Sequence, residues 1–524
     1  MKNEQMRKTM NGALVLTIAA LVAKALSALY RIPFQNIVGN TGFYVYQQIY
    51  PIYGIGMTFA LNGLPVFISK LVAQAEDEER QNQLLGQIFV VLLGLAVVIF
   101  AGLQVGSGLI AQAMGDRLLQ PLISSVSWMF LLMPFLAVAR GYYQGTFNMF
   151  PTAISQVSEQ LVRVTLIISV AVIASRHEWS VYRTGSWAML GSVAGAVVAG
   201  GIFAGFWRHL VLHHPLKNLW QGLGPVAKLL IKDGMIICLF SALMVLLQLV
   251  DSFTVMNALQ NFGLGSERAK FIKGIYDRGQ PLVQLGMTVA ISFASTLLPA
   301  LTIALRQGKK QEYRKISLMM FHVGLALGSA ATAGMIVLMP ALNTLLFGDA
   351  QLSATISVYV LSVPLISVIS LYNSVLQSTD NFGATLLAVL AAIVIKASCN
   401  SYLISRWGIM GSAICTDLAL VGALIVLVQL LPDSVRQTPQ QLSGYLGKLA
   451  GCLLVMVVGV ALLSGGFQLI FGLQRLSALC LTLLGSVAGV VLFGISAIKF
   501  QLLAVDEWAT LPGGKRLVRL LKQK

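Results

Sequence analysis

Ionisable side chains are scarce inside the apolar stretches of this sequence, and most of those that occur there are cations. Lys24 lies about 15 residues into the first stretch, roughly 22 Å along a helix. Arg31 follows closely, and Arg163 and Lys396 lie at similar depths in two later stretches. Charge inside a membrane helix is costly, so it should face a partner or an aqueous chamber. Together these residues predict a cationic chamber for a phosphate-bearing substrate, because Lys and Arg replace the hydration of the anion.

Two carboxylates could modify this interpretation. Glu159 precedes Arg163 by one helical turn, so the two could neutralise each other, or Glu159 could couple an ion. Asp251 is a second candidate for a coupling group or charge partner. Lys24 and Arg31 could instead extend to the lipid headgroups, whereas Lys396 has no acidic residue within a turn on either side.

The segment 266–281 carries a further group of charges between apolar stretches. Arg268 and Lys270 are expected to lie in a solvated loop there. Arg278, next to Asp277 at the entrance to the following stretch, is a fifth candidate for the chamber.

Catalytic patterns are missing from the sequence. It contains no GxxxxGK[ST] loop, no GxSxG elbow and no HExxH pair. The five cysteines lie in apolar runs without CxxC spacing, and His209, His213 and His214 have no carboxylate nearby. We therefore predict a protein that is not an enzyme and that uses neither a cofactor nor a metal ion.

The elements that must position these charges are membrane helices. Of 524 residues, 57% are hydrophobic and only 10% are charged, which excludes a soluble protein. The apolar stretches lack the alternation of a β-barrel strand. They predict an all-α integral membrane protein of about fourteen transmembrane helices, near 9–30, 42–73, 84–104, 118–143, 150–175, 185–207, 230–256, 279–305, 316–340, 352–376, 383–404, 408–431, 446–471 and 475–499.

The net charge of +17 is interpreted as a signal of topology rather than of nucleic-acid binding. Lys and Arg concentrate in alternate loops, most strongly in 306–315 and after Pro512, and this places both termini in the cytoplasm. The predicted location is the cytoplasmic (inner) membrane of a bacterium, with many passes.

An internal repeat recurs at an offset near 233 residues. Leu-Pro at 64–65 matches 298–299, Gly-Asp at 115–116 matches 348–349, and the series Gln144, Asn148, Arg163 matches Gln377, Asn381, Lys396. An even number of helices per repeat gives two six-helix lobes of one orientation, related by a pseudo-twofold axis along the membrane normal. The predicted parts are an N-lobe at 1–210, a C-lobe at 228–431, two extra helices in 446–499 and a basic cytoplasmic tail at 500–524.

Several motifs resemble one known family. Arg140-Gly-Tyr-Tyr-Gln-Gly-Thr-Phe-Asn148, the segment 151–160 with Arg163, the opening Tyr30-Arg-Ile-Pro-Phe with Gly39, and Asp277-Arg278 with Leu297-Leu-Pro299 are similar to the MOP superfamily. The similarity is to its polysaccharide-transporter branch, which contains the MurJ and SpoVB-like flippases. It implies fourteen helices, a cationic cavity that includes Lys24 and Arg278, and a groove for the lipid tail between the last two helices. One departure is that Ile55 stands four residues after Pro51, where Gram-negative relatives have an arginine.

These expectations combine into one predicted function. The protein is expected to flip a lipid-linked cell-wall precursor, foremost lipid II, from the inner to the outer leaflet by alternating access during peptidoglycan synthesis. Its expected partners are the undecaprenyl-diphosphate-linked substrate, membrane lipid and enzymes of cell-wall synthesis, with no nucleic acid, and the protein is expected to be a monomer. The alternatives are another lipid-linked oligosaccharide, a MATE-type cation-coupled small-molecule exporter, or a scaffold that transports nothing.

Overall fold

The computed structural model describes residues 2–213, 222–379, 381–432, 435 and 439–510. In these ranges every regular element is a helix, which confirms the all-α prediction. The chain forms two compact units, Met1–Pro281 with Ala392–Cys415, and Leu282–Ala391 with Thr416–Lys524. The lobe boundaries at 1–210 and 228–431 stay a prediction, and the last fourteen residues of the predicted basic tail lie outside the described residues.

The first unit holds most of the N-terminal helices. They are α1 (Lys2–Leu29), α2 (Arg31–Thr58), α3 (Leu64–Gln74), α4 (Glu78–Ala113), α5 (Gln120–Gly145), α6 (Met149–Arg176), α7 (Val181–Ile202), α8 (Ala204–His213), α9 (Leu223–Leu229), α10 (Met235–Ser241), α11 (Leu243–Asn261) and α12 (Ser266–Tyr276). The helix α13 (Gly279–Arg306) begins at the end of this unit.

The second unit contains helices of the C-terminal half, of which two are short. They are α14 (Lys310–Phe347), α15 (Ser353–Tyr359), α16 (Ser362–Ser378), α19 (Pro439–Phe471), α20 (Arg475–Lys499) and α21 (Val505–Thr510). Two further helices, α17 (Phe382–Trp407) and α18 (Ile409–Leu430), contribute to both units. Within the second unit, α19 and α20 pack on each other and on α14. Gly485 on α20 has no side chain, which leaves room for Leu338 of α14.

Twelve segments of the described residues are long and apolar enough to cross a membrane. One of them, Val15–Gln74, covers most of the predicted helix 1 and all of helix 2, and α13 corresponds to the predicted helix 8. Large apolar side chains are fully open to the surroundings on these helices, such as Val105 at 88% and Leu469 at 90% exposure. Lipid contact explains this exposure, and the protein is a multi-pass membrane protein.

The first predicted helix continues beyond residue 30, and the break falls at Gly39, within the predicted gap of 31–41. Helical hydrogen bonds continue through Tyr30, whose N–H donates to Leu26 and whose carbonyl accepts from Phe34. The direction changes at Gly39 instead, with φ 71° and ψ −178°, a conformation essentially restricted to glycine. Arg31 is therefore carried on the continuation of the first helix and faces the tyrosines that follow Gly39.

The predicted helix 2 also contains an irregularity, because its residues Phe59–Gly63 form a π-helix between α2 and α3. Widened turns of this kind leave backbone carbonyls in need of other donors. Arg140 on α5 supplies one, since its Nη1 donates to the carbonyl oxygen of Ala60 at 3.2 Å.

The prediction of a solvated loop at 266–281 was wrong in part. Residues Ser266–Tyr276 form α12, and Lys270 is buried, with its Nζ 2.9 Å from the hydroxyl of Tyr182 and 3.5 Å from Oδ2 of Asp116. Although burial opposes it, hydrogen bonds to Tyr182 and Glu267 together with Asp116 raise the pKa of Lys270. Arg268 is exposed, as predicted.

Candidate anion-binding site

Two fully buried arginines and a group of tyrosines form a cluster where α2 meets α6. Nη2 of Arg163 donates to the hydroxyl of Tyr30 at 2.8 Å and to that of Tyr46 at 3.2 Å. Its guanidinium carbon lies 4.0 Å from the ring centre of Tyr53. Arg31 lies over Tyr50, with 4.1 Å between its guanidinium carbon and the ring centre. We call these six residues the arginine–tyrosine cluster.

The positive charge of this cluster is not cancelled by Glu159. Oε2 of Glu159 forms an ion pair of 2.6 Å with Nη2 of Arg140, so the interpretation in which Glu159 neutralises Arg163 was wrong. Arg140 lies on the neighbouring helix α5, which made its pairing invisible to spacing along one helix. Among the described residues, no carboxylate forms an ion pair with Arg31 or Arg163.

Aromatic rings offset part of the cost of burying these two charges. The face of a tyrosine ring attracts a cation, and the effect strengthens when water is excluded. Neutral rings and hydroxyls cannot replace a counterion, however, and an uncompensated buried charge remains expensive. Nε of each arginine is buried without a hydrogen-bond partner among the described residues. The arrangement is therefore suited to an anion that can approach two guanidinium groups at once.

Two of the other three predicted chamber cations, Lys24 and Arg278, lie in the same unit but make different contacts. Lys24 is half-buried on α1, two turns before Arg31. Arg278 is buried, and its Nη2 donates to Oδ1 of Asn40 at 2.7 Å, next to the break at Gly39. Arg278 thus connects the end of α12 to the start of the second membrane helix.

Lys396 and Asp251 are brought together by the fold. Nζ of Lys396 lies 2.8 Å from Oδ1 of Asp251, in a cluster formed by α11, α17 and α18. No acidic residue lies within a turn of Lys396 on its own helix, because the partner carboxylate comes from α11.

Sequence reasoning missed the tyrosines of the site. Tyr46, Tyr50 and Tyr53 are spaced by four and three residues, so they occupy one face of α2. This spacing, combined with Arg31 before the break at Gly39, was the signal that could have revealed them.

Comparison with known proteins identifies the family. Residues 9–305 match the family described as "Polysaccharide biosynthesis protein". The uncharacterized membrane protein YabM of Bacillus subtilis (strain 168) is 32% identical over 98% of this chain and 96% of its own length. Lipid II flippase MurJ of the same organism is 25% identical over 80% of this chain and 81% of its own, and its stage V sporulation protein B is 26% identical over 82% and 85%.

Solved structures share the fold. Lipid II flippase MurJ in an inward closed conformation superposes with a TM-score of 0.67 at 14% identity, covering 93% of this chain and 99% of that one. An inward-facing multidrug resistance MATE transporter of the MOP superfamily gives 0.60 at 13% identity, over 78% and 93%. The predicted resemblance is confirmed: this chain belongs to the polysaccharide biosynthesis protein family, and its fold is that of the MOP superfamily.

Proposed function

We propose that this protein is a flippase that moves a diphosphate-linked saccharide lipid, foremost lipid II, from the cytoplasmic to the outer leaflet. The observation that carries the proposal is the arginine–tyrosine cluster, in which Arg31 and Arg163 are buried together and form no ion pair with a carboxylate among the described residues. Two guanidinium groups match a diphosphate, which presents several acceptor oxygens and at least two negative charges.

The barrier to such a movement is the polar headgroup. Each unsatisfied polar group costs several kcal/mol in hydrocarbon, and a charged phosphate costs more. Buried cations lower this barrier because they replace the water that the diphosphate loses. Outward movement of an anion is also favoured by about 2.3 kcal/mol per charge for each 100 mV of membrane potential, with the interior negative.

The cluster also argues against the exporter alternative. A cation-coupled exporter of cationic drugs needs carboxylates that exchange substrate for ions. In the described part of the chain, Glu159 is paired with Arg140, and Asp251 with Lys396. The positive charge of Arg31 and Arg163 would repel a cationic drug.

The proposal includes a topology and a transport cycle. Both termini lie in the cytoplasm of a bacterial cell, and two six-helix lobes alternate access to the site. The arginine–tyrosine cluster is closed in this structure, with Arg31 at 1% and Arg163 at 0% exposure, so the substrate reaches it only after the surrounding helices separate.

The test is depletion of the protein from its bacterium, followed by measurement of lipid II in each leaflet. Strains that lack other flippases of the family are used, so that redundancy does not hide the effect. We expect lipid II to accumulate on the inner leaflet and to redistribute when the wild-type gene is restored. An unchanged distribution of lipid II, together with accumulation of a different diphosphate-linked glycan, would instead identify that glycan as the substrate.

Residue variants complete the test. Arg31→Ala and Arg163→Ala should fail to restore the distribution while reaching normal levels in the membrane. The matched control is Arg176→Ala, an exposed arginine on the same helix as Arg163, and it should restore the distribution fully.

A further inference from the structure

A second cluster of buried polar groups lies in the first unit, where α11, α17 and α18 meet. Lys396 on α17 is fully buried, and its Nζ is 2.8 Å from Oδ1 of Asp251 on α11. The same Nζ donates to the backbone carbonyl of Ser412 on α18 at 2.9 Å and lies 3.3 Å from its hydroxyl. One ammonium is thus surrounded by carboxylate, carbonyl and hydroxyl oxygens from two other helices.

The carboxylate is held in place by further donors. Oδ1 of Asp251 accepts from the hydroxyl of Ser412 at 2.8 Å and from Nδ2 of Asn400 at 2.9 Å. Asn400 lies one turn beyond Lys396 on the same face of α17 and is itself fully buried. Its amide oxygen has no hydrogen-bond partner among the described residues, which leaves one more buried oxygen in the cluster.

Backbone geometry brings the Ser412 carbonyl to this position. A side chain at Gly411 would place its Cβ 2.2 Å from the carbonyl oxygen of Leu403, so only glycine allows α18 to approach α17 this closely. Gly408 makes the turn between the two helices with φ 57°. The close approach sets the neighbouring carbonyl of Ser412 within reach of Lys396.

This set of oxygens is the kind that binds a hard cation. Carboxylate, carbonyl and hydroxyl oxygens are the ligands that such ions prefer, and transporters use helix carbonyls for this purpose. A lysine ammonium is a compact single charge with three donors. It can contact the same oxygens as a dissolved cation, but it is attached to the protein.

We propose that the Lys396 ammonium takes the place of a dissociable monovalent cation in a site formed by Asp251, Ser412 and Asn400. The protein carries this cation covalently, and the cation joins α11, α17 and α18 permanently. Wild-type protein therefore needs no sodium or potassium to hold these three helices together.

The test removes the tethered cation and offers free ones. Lys396→Ala and wild-type protein are purified in detergent, and thermal unfolding is followed in choline, sodium, potassium and ammonium chloride at equal ionic strength. We expect the melting temperature of the wild type to be the same in all four salts. Lys396→Ala should melt several degrees lower in choline and should recover with at least one small cation, in a saturating manner.

A double variant serves as the control. Lys396→Ala with Asp251→Asn removes both charges, leaves no unpaired carboxylate and should melt at the same temperature in every salt. Three results would overturn the proposal. The first is a melting temperature of Lys396→Ala that is independent of the salt, and the second is an equal salt response in the double variant. The third is that Lys396→Ala cannot be purified as folded protein in any salt although the double variant can. The measurement needs no transported substrate, so it is independent of the proposed function.

Discussion

Arg163 contributes geometry as well as charge to the arginine–tyrosine cluster. Its planar guanidinium donates to Tyr30, Tyr46 and Gln160 while its face lies on Tyr53. A lysine would keep the charge but could not make these contacts together. The residue therefore fixes the positions of the rings in addition to attracting an anion.

We expect Arg163→Lys to keep part of the transport rate and Arg163→Gln to lose at least about tenfold, which is about 1.4 kcal/mol in the barrier. The measurement is the rate of lipid II flipping, normalised to protein in the membrane. Equal rates in Arg163→Gln and the wild type would show that this charge is not used, and Arg176→Gln controls for general effects of losing an arginine.

The Arg140–Glu159 pair is expected to act on stability. Removing one partner of a buried pair leaves an unpaired charge and typically costs about 3–5 kcal/mol. Glu159→Gln should lower the melting temperature of the purified protein, and adding Arg140→Gln should restore part of it. If Glu159→Gln abolished transport at an unchanged melting temperature, Glu159 would have a coupling role instead.

At the level of single residues, the sequence predicted charges better than their partners. Arg31 and Arg163 stand out because charge is rare in apolar stretches, whereas the tyrosines do not interrupt the apolar pattern. The partners of Glu159 and Lys396 come from other helices, so no spacing along one helix could predict them.

At the level of elements, α12 is fitted against the start of the second membrane helix. A Cβ at Gly274 would lie 2.0 Å from the carbonyl oxygen of Asn40, so the two backbones are in direct contact. Arg278 binds the side chain of the same Asn40. The sequence predicted the apolar helices, but it missed α12 because its many charges are typical of a solvated loop.

Gly274→Ala should therefore separate α12 from α2 and lower the melting temperature by several degrees. Gly94→Ala is the control, since Gly94 lies within the helix α4 with open space around it. Equal melting temperatures for the two variants would contradict the close contact at Gly274.

At the level of the whole molecule, the repeat offset reappears in one contact of the first unit. Gln47 and Gln280 are 233 residues apart, and Nε2 of Gln47 donates to Oε1 of Gln280 at 2.9 Å. The predicted repeat makes Gln47 and Gln280 equivalent positions, and the predicted pseudo-twofold axis would account for a contact between them. The repeat itself stays a prediction, and the sequence did not predict this contact, because glutamines within membrane helices have many possible partners.

Alternating access predicts that this contact opens during transport. Cysteines at 47 and 280, in a variant whose five native cysteines are replaced, should be joined by a short cleavable thiol cross-linker. Cross-linking should stop lipid II flipping, and cleavage should restore it, while each single-cysteine variant is unaffected. Full transport by the cross-linked protein would show that the contact stays closed throughout the cycle.

The central claim is that Arg31 and Arg163 bind the diphosphate of the transported lipid. The most direct measurement is flipping of fluorescent lipid II in proteoliposomes that contain purified wild-type protein, Arg31→Ala, Arg163→Ala or the control Arg176→Ala. We predict that the wild type and Arg176→Ala flip the lipid and that both cluster variants, folded and equally incorporated, do not. Flipping at the wild-type rate by Arg31→Ala and Arg163→Ala would contradict the account.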